Sequence, residues 1–213
     1  MRVESLRALL RLPERIGRRA SAAQRPSILF HAGAFLALVL LAPLCFGQEP
    51  DRPARKLDVW YVPTPHEIVD RMLDVAGVRT GDVVYDLGCG DGRMVIAAAK
   101  KFATRGVGVD LDPARIREAR ANAKKAGVEH LVTFKVADMF ETDVSEATVV
   151  MLYLLPELNR RLKPKLLAEL RPGARIVSHD FDMGRDWPPD RYVKLGTSGI
   201  YLWRIPGEGG GGG

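Results

Sequence analysis

Between residues 58 and 206 the hydrophobic positions follow two alternating patterns. Short, nearly unbroken apolar runs (Val83-Val84-Tyr85, Arg105 to Asp110, Val132 to Phe140, Ala147 to Leu155 and Arg175 to Phe181) predict strands buried on both faces. Between them apolar residues recur at helical spacing. Ile68, Val69, Met72, Leu73 and Ala76 form one such face, and Thr64, Pro65 and Glu67 predict a capping box at its start. Further helices are expected over Arg93 to Phe102, from Pro113 behind an Asp112 cap to Gly127, and over Pro156 to Leu170 with an interruption at Pro164. The chain ends differently. Tyr192 to Leu195 and Ile200 to Ile205 are β-rich and joined by Gly196-Thr197-Ser198-Gly199, a hairpin signal. The expectation is an α/β fold: a mostly parallel seven-stranded sheet closed by a C-terminal antiparallel hairpin.

One stretch organises the rest. After the Val83-Val84-Tyr85 strand come Asp86, then glycines at 88, 90 and 92, and the next helix begins at once. Glycines there allow a sharp strand-to-helix turn and close approach of backbone to a ligand, and the helix start offers unpaired N–H groups. Asp86 would meet a cationic or hydroxylated part of that ligand. Asp110 ends the second strand, 24 residues after Asp86, where a carboxylate can accept both hydroxyls of a ribose. The loop reads D-x-G-x-G-x-G, one residue shorter before its last glycine than the dinucleotide pattern G-x-G-x-x-G. An oxidoreductase binding NAD is therefore the disfavoured alternative. A third reading is a non-catalytic cofactor-binding envelope protein.

The loop resembles motif I of class I S-adenosylmethionine-dependent methyltransferases, which have a Rossmann-like fold. Y-V-P-T-P from Tyr61, D-L-G-C-G-D-G-R from Asp86, G-V-G-V-D-L-D-P from Gly106 and L-Y-L-L-P from Leu152 together resemble a bacterial branch of that class. This branch is similar to the mitochondrial protein-lysine methyltransferases acting on the ATP synthase c subunit and the adenine nucleotide translocase. The resemblance implies S-adenosyl-L-methionine as cofactor and a methyl acceptor that is a protein lysine amine or a small molecule. It implies Asp86, Gly88, Gly90, Asp110 and Leu111 as cofactor contacts, with Asp138 beside the adenine amino group and Met139 next to it. Tyr61 and Pro63 form either a rigid entry turn or a lid over the cofactor; Tyr61 is counted among the cofactor contacts.

Methyl transfer from a sulfonium is an in-line displacement that requires positioning and no covalent nucleophile. Cys89 is accordingly read as a small residue in a tight loop. Tyr153 matches the position where relatives line the methyl-transfer pocket. Asp180 is a candidate proton acceptor for a lysine amine, with a structural turn role as its rival. The histidines at 31, 66, 130 and 179 show no ligand spacing, so no metal site is predicted.

Charge divides the chain. Residues 1 to 30 hold seven arginines against Glu4 and Glu14, while residues 31 to 213 hold 25 basic against 24 acidic residues. A near-neutral domain gives no electrostatic reason to expect a nucleic acid partner. The basic leader precedes the apolar run Ile28 to Phe46, so residues 1–47 are expected to be a signal peptide or an N-terminal membrane anchor. Residues 48–57 read as linker, 58–206 as the catalytic domain and 207–213 as a flexible Gly-rich tail. The expected location is membrane-associated or exported, with membrane contact through residues 28–46 if uncleaved. It is cytoplasmic if the true start lies downstream.

Overall fold

A computed structural model describes residues 61–207. The expected leader (1–47), the linker (48–57), residues 58–60 and residues 208–213 lie outside the described residues. Among the described residues no helix is long and apolar enough to cross a membrane.

The order of elements is α1 (His66–Ala76), β1 (Val83–Leu87), α2 (Arg93–Phe102), β2 (Arg105–Asp110), α3 (Pro113–Ala126), β3 (Val132–Val136), β4 (Val149–Leu152), α4 (Pro156–Glu169), β5 (Arg175–His179), β6 (Arg191–Leu195) and β7 (Ser198–Arg204). They form one seven-stranded sheet in the order β3-β2-β1-β4-β5-β7-β6. Strands β1 to β5 are parallel, and β7 runs antiparallel to both β5 and β6. The chain reverses its direction of travel across the sheet between β1 and β4, the kind of switch point where open α/β sheets bind ligands.

Side-chain alternation explains the two-sided burial. Tyr85 and Leu87 of β1, with Val150 and Leu152 of β4, pack against Leu158, Leu162 and Leu166 of α4. Val84, Val149 and Met151 point the other way, toward Val69, Met72 and Leu73 of α1 and Met94 of α2. Ile116, Ala119 and Ala123 of α3 cover Val132 and Phe134 on the edge strand β3.

Three local expectations are corrected. Thr64 does not cap α1: Pro65 holds the N-cap position and no side chain bonds the helix start, because the Thr64 hydroxyl is engaged elsewhere. Helix α4 runs through Pro164. The backbone bond lost there belongs to the exposed face, where water can satisfy the Arg160 carbonyl. The hairpin turn is only Gly196-Thr197, since Ser198 pairs with Leu195 and Gly199 with Lys194 in the ladder. The Asp112 cap holds: its side chain accepts the Ala114 N–H at 2.8 Å, and Gly127 closes α3 in a left-handed conformation.

Candidate active site

Strand β1 delivers Asp86 to the C-terminal edge of the sheet, and the loop that follows turns through Gly88 at φ 86° and Gly90 at φ 53°. Strand β2 places Asp110 alongside. Its Oδ2 accepts the Gly90 N–H and its Oδ1 the Asp112 N–H, each at 2.9 Å. The cleft above these strand ends encloses about 890 Å3 of empty space, part of it open to solvent.

Its floor is acidic. Asp86 is buried, and burial together with the charges of Asp110 and Asp91 pushes its carboxyl up to about 8. Burial also raises Asp110, against the pull of the backbone N–H groups of Asp112 and Gly90. Leu111, Val109, Ala137, Met139 and Leu158 supply an apolar wall, while Tyr153 and Leu154 close the side nearest β4. A buried acid in front of an apolar slot suits a ligand with a cationic end, a ribose and a flat base. S-adenosylmethionine has all three.

A strap of residues 61–64 forms the opposite wall. The Tyr61 ring lies so close to the loop that a Cβ on Gly90 would stand 2.2 Å from its Cε2. Arg93 holds the strap: its Nη1 donates to the Thr64 carbonyl at 2.9 Å, while its Nε and Nη2 donate to Asp91 at 2.9 and 2.6 Å. Burial pushes the Asp91 carboxyl up, but these Arg93 contacts prevail and hold it below the usual carboxylate range. The Arg115 guanidinium stands 5.0 Å over the Tyr61 ring.

Of the residues singled out from sequence, Tyr61, Asp86, Gly88, Asp110, Leu111, Met139 and Tyr153 line this cleft. Gly90 does not; it underlies Tyr61 and donates to Asp110. Asp138 lines a separate cleft with Tyr85, Lys135 and Glu141, and its Oδ1 accepts the Phe140 N–H at 2.9 Å. Asp180 is not among the lining residues. It sits at φ 61°, its Oδ1 accepts the Gly199 N–H at 2.7 Å, and its own N–H donates to the Gly199 carbonyl. That is the turn role, bracing the hairpin against β5. Cys89 is buried, and burial with the Asp86 and Asp110 charges raises its thiol far from reactivity.

Sequence reading missed Asp91, Arg93 and Arg115. A signal existed for Arg93: a cation at the first position of a helix opposes the macrodipole and needs a local anion, here Asp91 two residues earlier.

Fold and site together define a class I, Rossmann-like S-adenosylmethionine-dependent methyltransferase. A family model, the ANTKMT methyltransferase domain, matches residues 86–191. A protein-lysine N-methyltransferase of Saccharolobus islandicus (strain REY15A) is 52% identical over 150 residues, covering 68% of this chain and 92% of that protein. The adenine nucleotide translocase lysine N-methyltransferase of Mus musculus is 32% identical over 178 residues, covering 84% and 77%. Among solved structures, an RNA methyltransferase from Salinibacter ruber in complex with S-adenosyl-L-homocysteine is 57% identical at a TM-score of 0.67, covering 68% of this chain and 94% of that one. Similarity of this extent is family membership: the chain belongs to the ANTKMT-type methyltransferases. It is an enzyme that uses S-adenosylmethionine, and the oxidoreductase and non-catalytic alternatives fall away.

Proposed function

We propose that this methyltransferase acts on a lysine ε-amine of a protein. The observation that carries this reading is the 52% identity to a protein-lysine N-methyltransferase across 92% of that relative's length. The charge of the domain supports it: residues 61–207 hold 22 Lys and Arg against 20 Asp and Glu, a poor match to a phosphate backbone.

When bound, the cofactor supplies a methyl group on a sulfonium, which a neutral amine takes in one in-line displacement. The chain's own residues position the partners. Asp86 lies where a cofactor ammonium would be neutralised, and Asp110 retains lone pairs for the ribose hydroxyls beyond those given to Gly90 and Asp112. Leu111, Met139 and Ala137 line the apolar slot that would hold the base. Tyr153 and Leu154 form the acceptor side, where apolar walls exclude water and favour the uncharged amine. Tyr153 is the wall against which the lysine stem lies.

The Salinibacter ruber structure favours a second reading, an RNA acceptor. One experiment separates the two. A lysate of a strain lacking the gene is incubated with the enzyme and methyl-labelled cofactor, then split between ribonuclease and protease. Label that survives ribonuclease, disappears with protease and maps to a lysine by mass spectrometry is the expected result. Label lost to ribonuclease would move the assignment to RNA.

We also propose that residues 58–206 are the catalytic domain and that residues 1–47 serve as its address, with Ile28 to Phe46 the part that engages a membrane. A fusion of residues 1–60 to a reporter active only outside the cytoplasm should be active. A silent, soluble fusion would remove the export reading.

A further inference from the structure

Thr64 is held from both sides of the cleft. Its hydroxyl shares a hydrogen bond of 3.2 Å with Nδ1 of His179 at the end of β5, and its carbonyl accepts from Arg93 at the start of α2. Both Thr64 and His179 are only 2% exposed. The residues it carries into the cleft are far more open: Val62 is 60% exposed and Tyr61 41%. No backbone-to-backbone hydrogen bond joins residues 61–64 to any other described residue, so side chains seat the strap.

The same imidazole touches the acceptor side. Its ring lies 4.1 Å, centroid to centroid, from that of Tyr153. Its Nε2 faces Ser198 Oγ at 3.1 Å and Asp180 Oδ2 at 3.3 Å, which fixes it to the hairpin. Burial lowers its pKa against the opposing charge of Asp180, so the ring is held toward its neutral form.

We propose that His179 is a positioning residue with two charges in its care: through Thr64 it keeps strap 61–64 seated as a wall of the cofactor cleft, and through Tyr153 it ties that seating to the shape of the acceptor pocket. The inference uses the cofactor assignment and not the identity of the acceptor.

The test is calorimetric titration of the full chain with S-adenosylhomocysteine, so no turnover is needed. Thr64→Val deletes the hydroxyl and keeps the shape; Thr64→Ser keeps the hydroxyl and trims the shape. His179→Phe keeps a ring against Tyr153 and removes both nitrogens. Loss of the shared buried hydrogen bond predicts about 5- to 10-fold weaker binding for Thr64→Val, and at least as much for His179→Phe, which also gives up the Nε2 contacts to Ser198 and Asp180. Thr64→Ser should stay within about 2-fold, and the double variant should be no weaker than the worse single one. A packing role alone reverses the order, making Val silent and Ser harmful, and that order overturns the proposal. So does a double variant whose losses multiply to about 50-fold. Wild-type protein that fails to bind would instead count against the cofactor assignment.

Discussion

Asp110 Oδ2 accepts the N–H of Gly90 at 2.9 Å, fastening the end of β2 to the middle of the glycine loop that follows β1. The other oxygen holds the Asp112 N–H, where α3 is capped. The carboxylate that faces the cleft is thus also a strut of its floor.

Asp110→Ala therefore has two effects. Cofactor affinity should fall by about 2–4 kcal/mol with the loss of the ribose acceptor, and two backbone N–H groups left unpaired should cost about 1–3 kcal/mol of stability. Asp110→Asn, which keeps one acceptor oxygen, should lose less stability than Ala. Titration and thermal melts measure both. A folded variant with normal affinity would take Asp110 out of the site.

Gly90→Ala drives a methyl group into the Tyr61 ring and also strains a left-handed residue by about 1 kcal/mol. Cofactor binding should weaken by more than about 10-fold, mostly through displacement of Tyr61. In a Tyr61→Ala background the same change should cost about 5-fold or less, because only the backbone strain remains. Equal costs in both backgrounds would show that the collision is relieved without moving the ring.

Asp86 makes binding depend on pH. Its carboxyl ionises near 4 in an unfolded chain and near 8 in the fold, so between those values the native state keeps a proton that the unfolded state has lost. The contribution of this group to the stability of the cofactor-free enzyme accordingly falls as pH rises from about 4 to about 8, then levels off. A cationic ligand beside Asp86 favours the carboxylate, so binding below pH 8 releases a proton and affinity rises toward that pH. Titrations at pH 7 in two buffers of different ionisation enthalpy read the release directly. Asp86→Asn should abolish it; zero release in the wild type would mean that binding leaves the protonation of Asp86 unchanged.

Asp180→Asn separates brace from base. Asparagine tolerates the left-handed conformation and its amide oxygen can still accept the Gly199 N–H. Methyl transfer should stay within about 3-fold of wild type with an unchanged pH profile, since the neutral side chain preserves the turn. A loss of rate confined to the acid limb would restore Asp180 as the acceptor of the lysine proton.

Much of the architecture was legible because it is written in short segments. Apolar runs, caps and glycine stops together located the helices and strands of the described residues, since two-sided burial of β1 and β4 leaves runs such as Val83-Val84-Tyr85 and Val149-Val150-Met151 with no polar break. The glycine loop was equally plain, because left-handed backbone at Gly88 and Gly90 is a local demand. Pro164 misled for the complementary reason: a proline weakens a helix locally, yet Leu158, Leu162 and Leu166 anchor α4 to the sheet on both sides of it.

By itself the sequence determined the fold class, the glycine loop after the first strand and the acid at the end of each of the first two strands, all of which depend on residues close together in the chain. Only the tertiary structure decided where the remaining polar groups turn. Thr64 could cap its own helix three residues on, yet its hydroxyl goes to His179, 115 residues away. The family resemblance marked Asp138 as a site acid and its strand end marked Asp180, but Asp138 takes the Phe140 amide and Asp180 the Gly199 amide, and neither lines the cleft above β1 and β2. Local pattern states which bonds a side chain is able to make; which one it does make depends on partners that only folding brings within 3 Å or so.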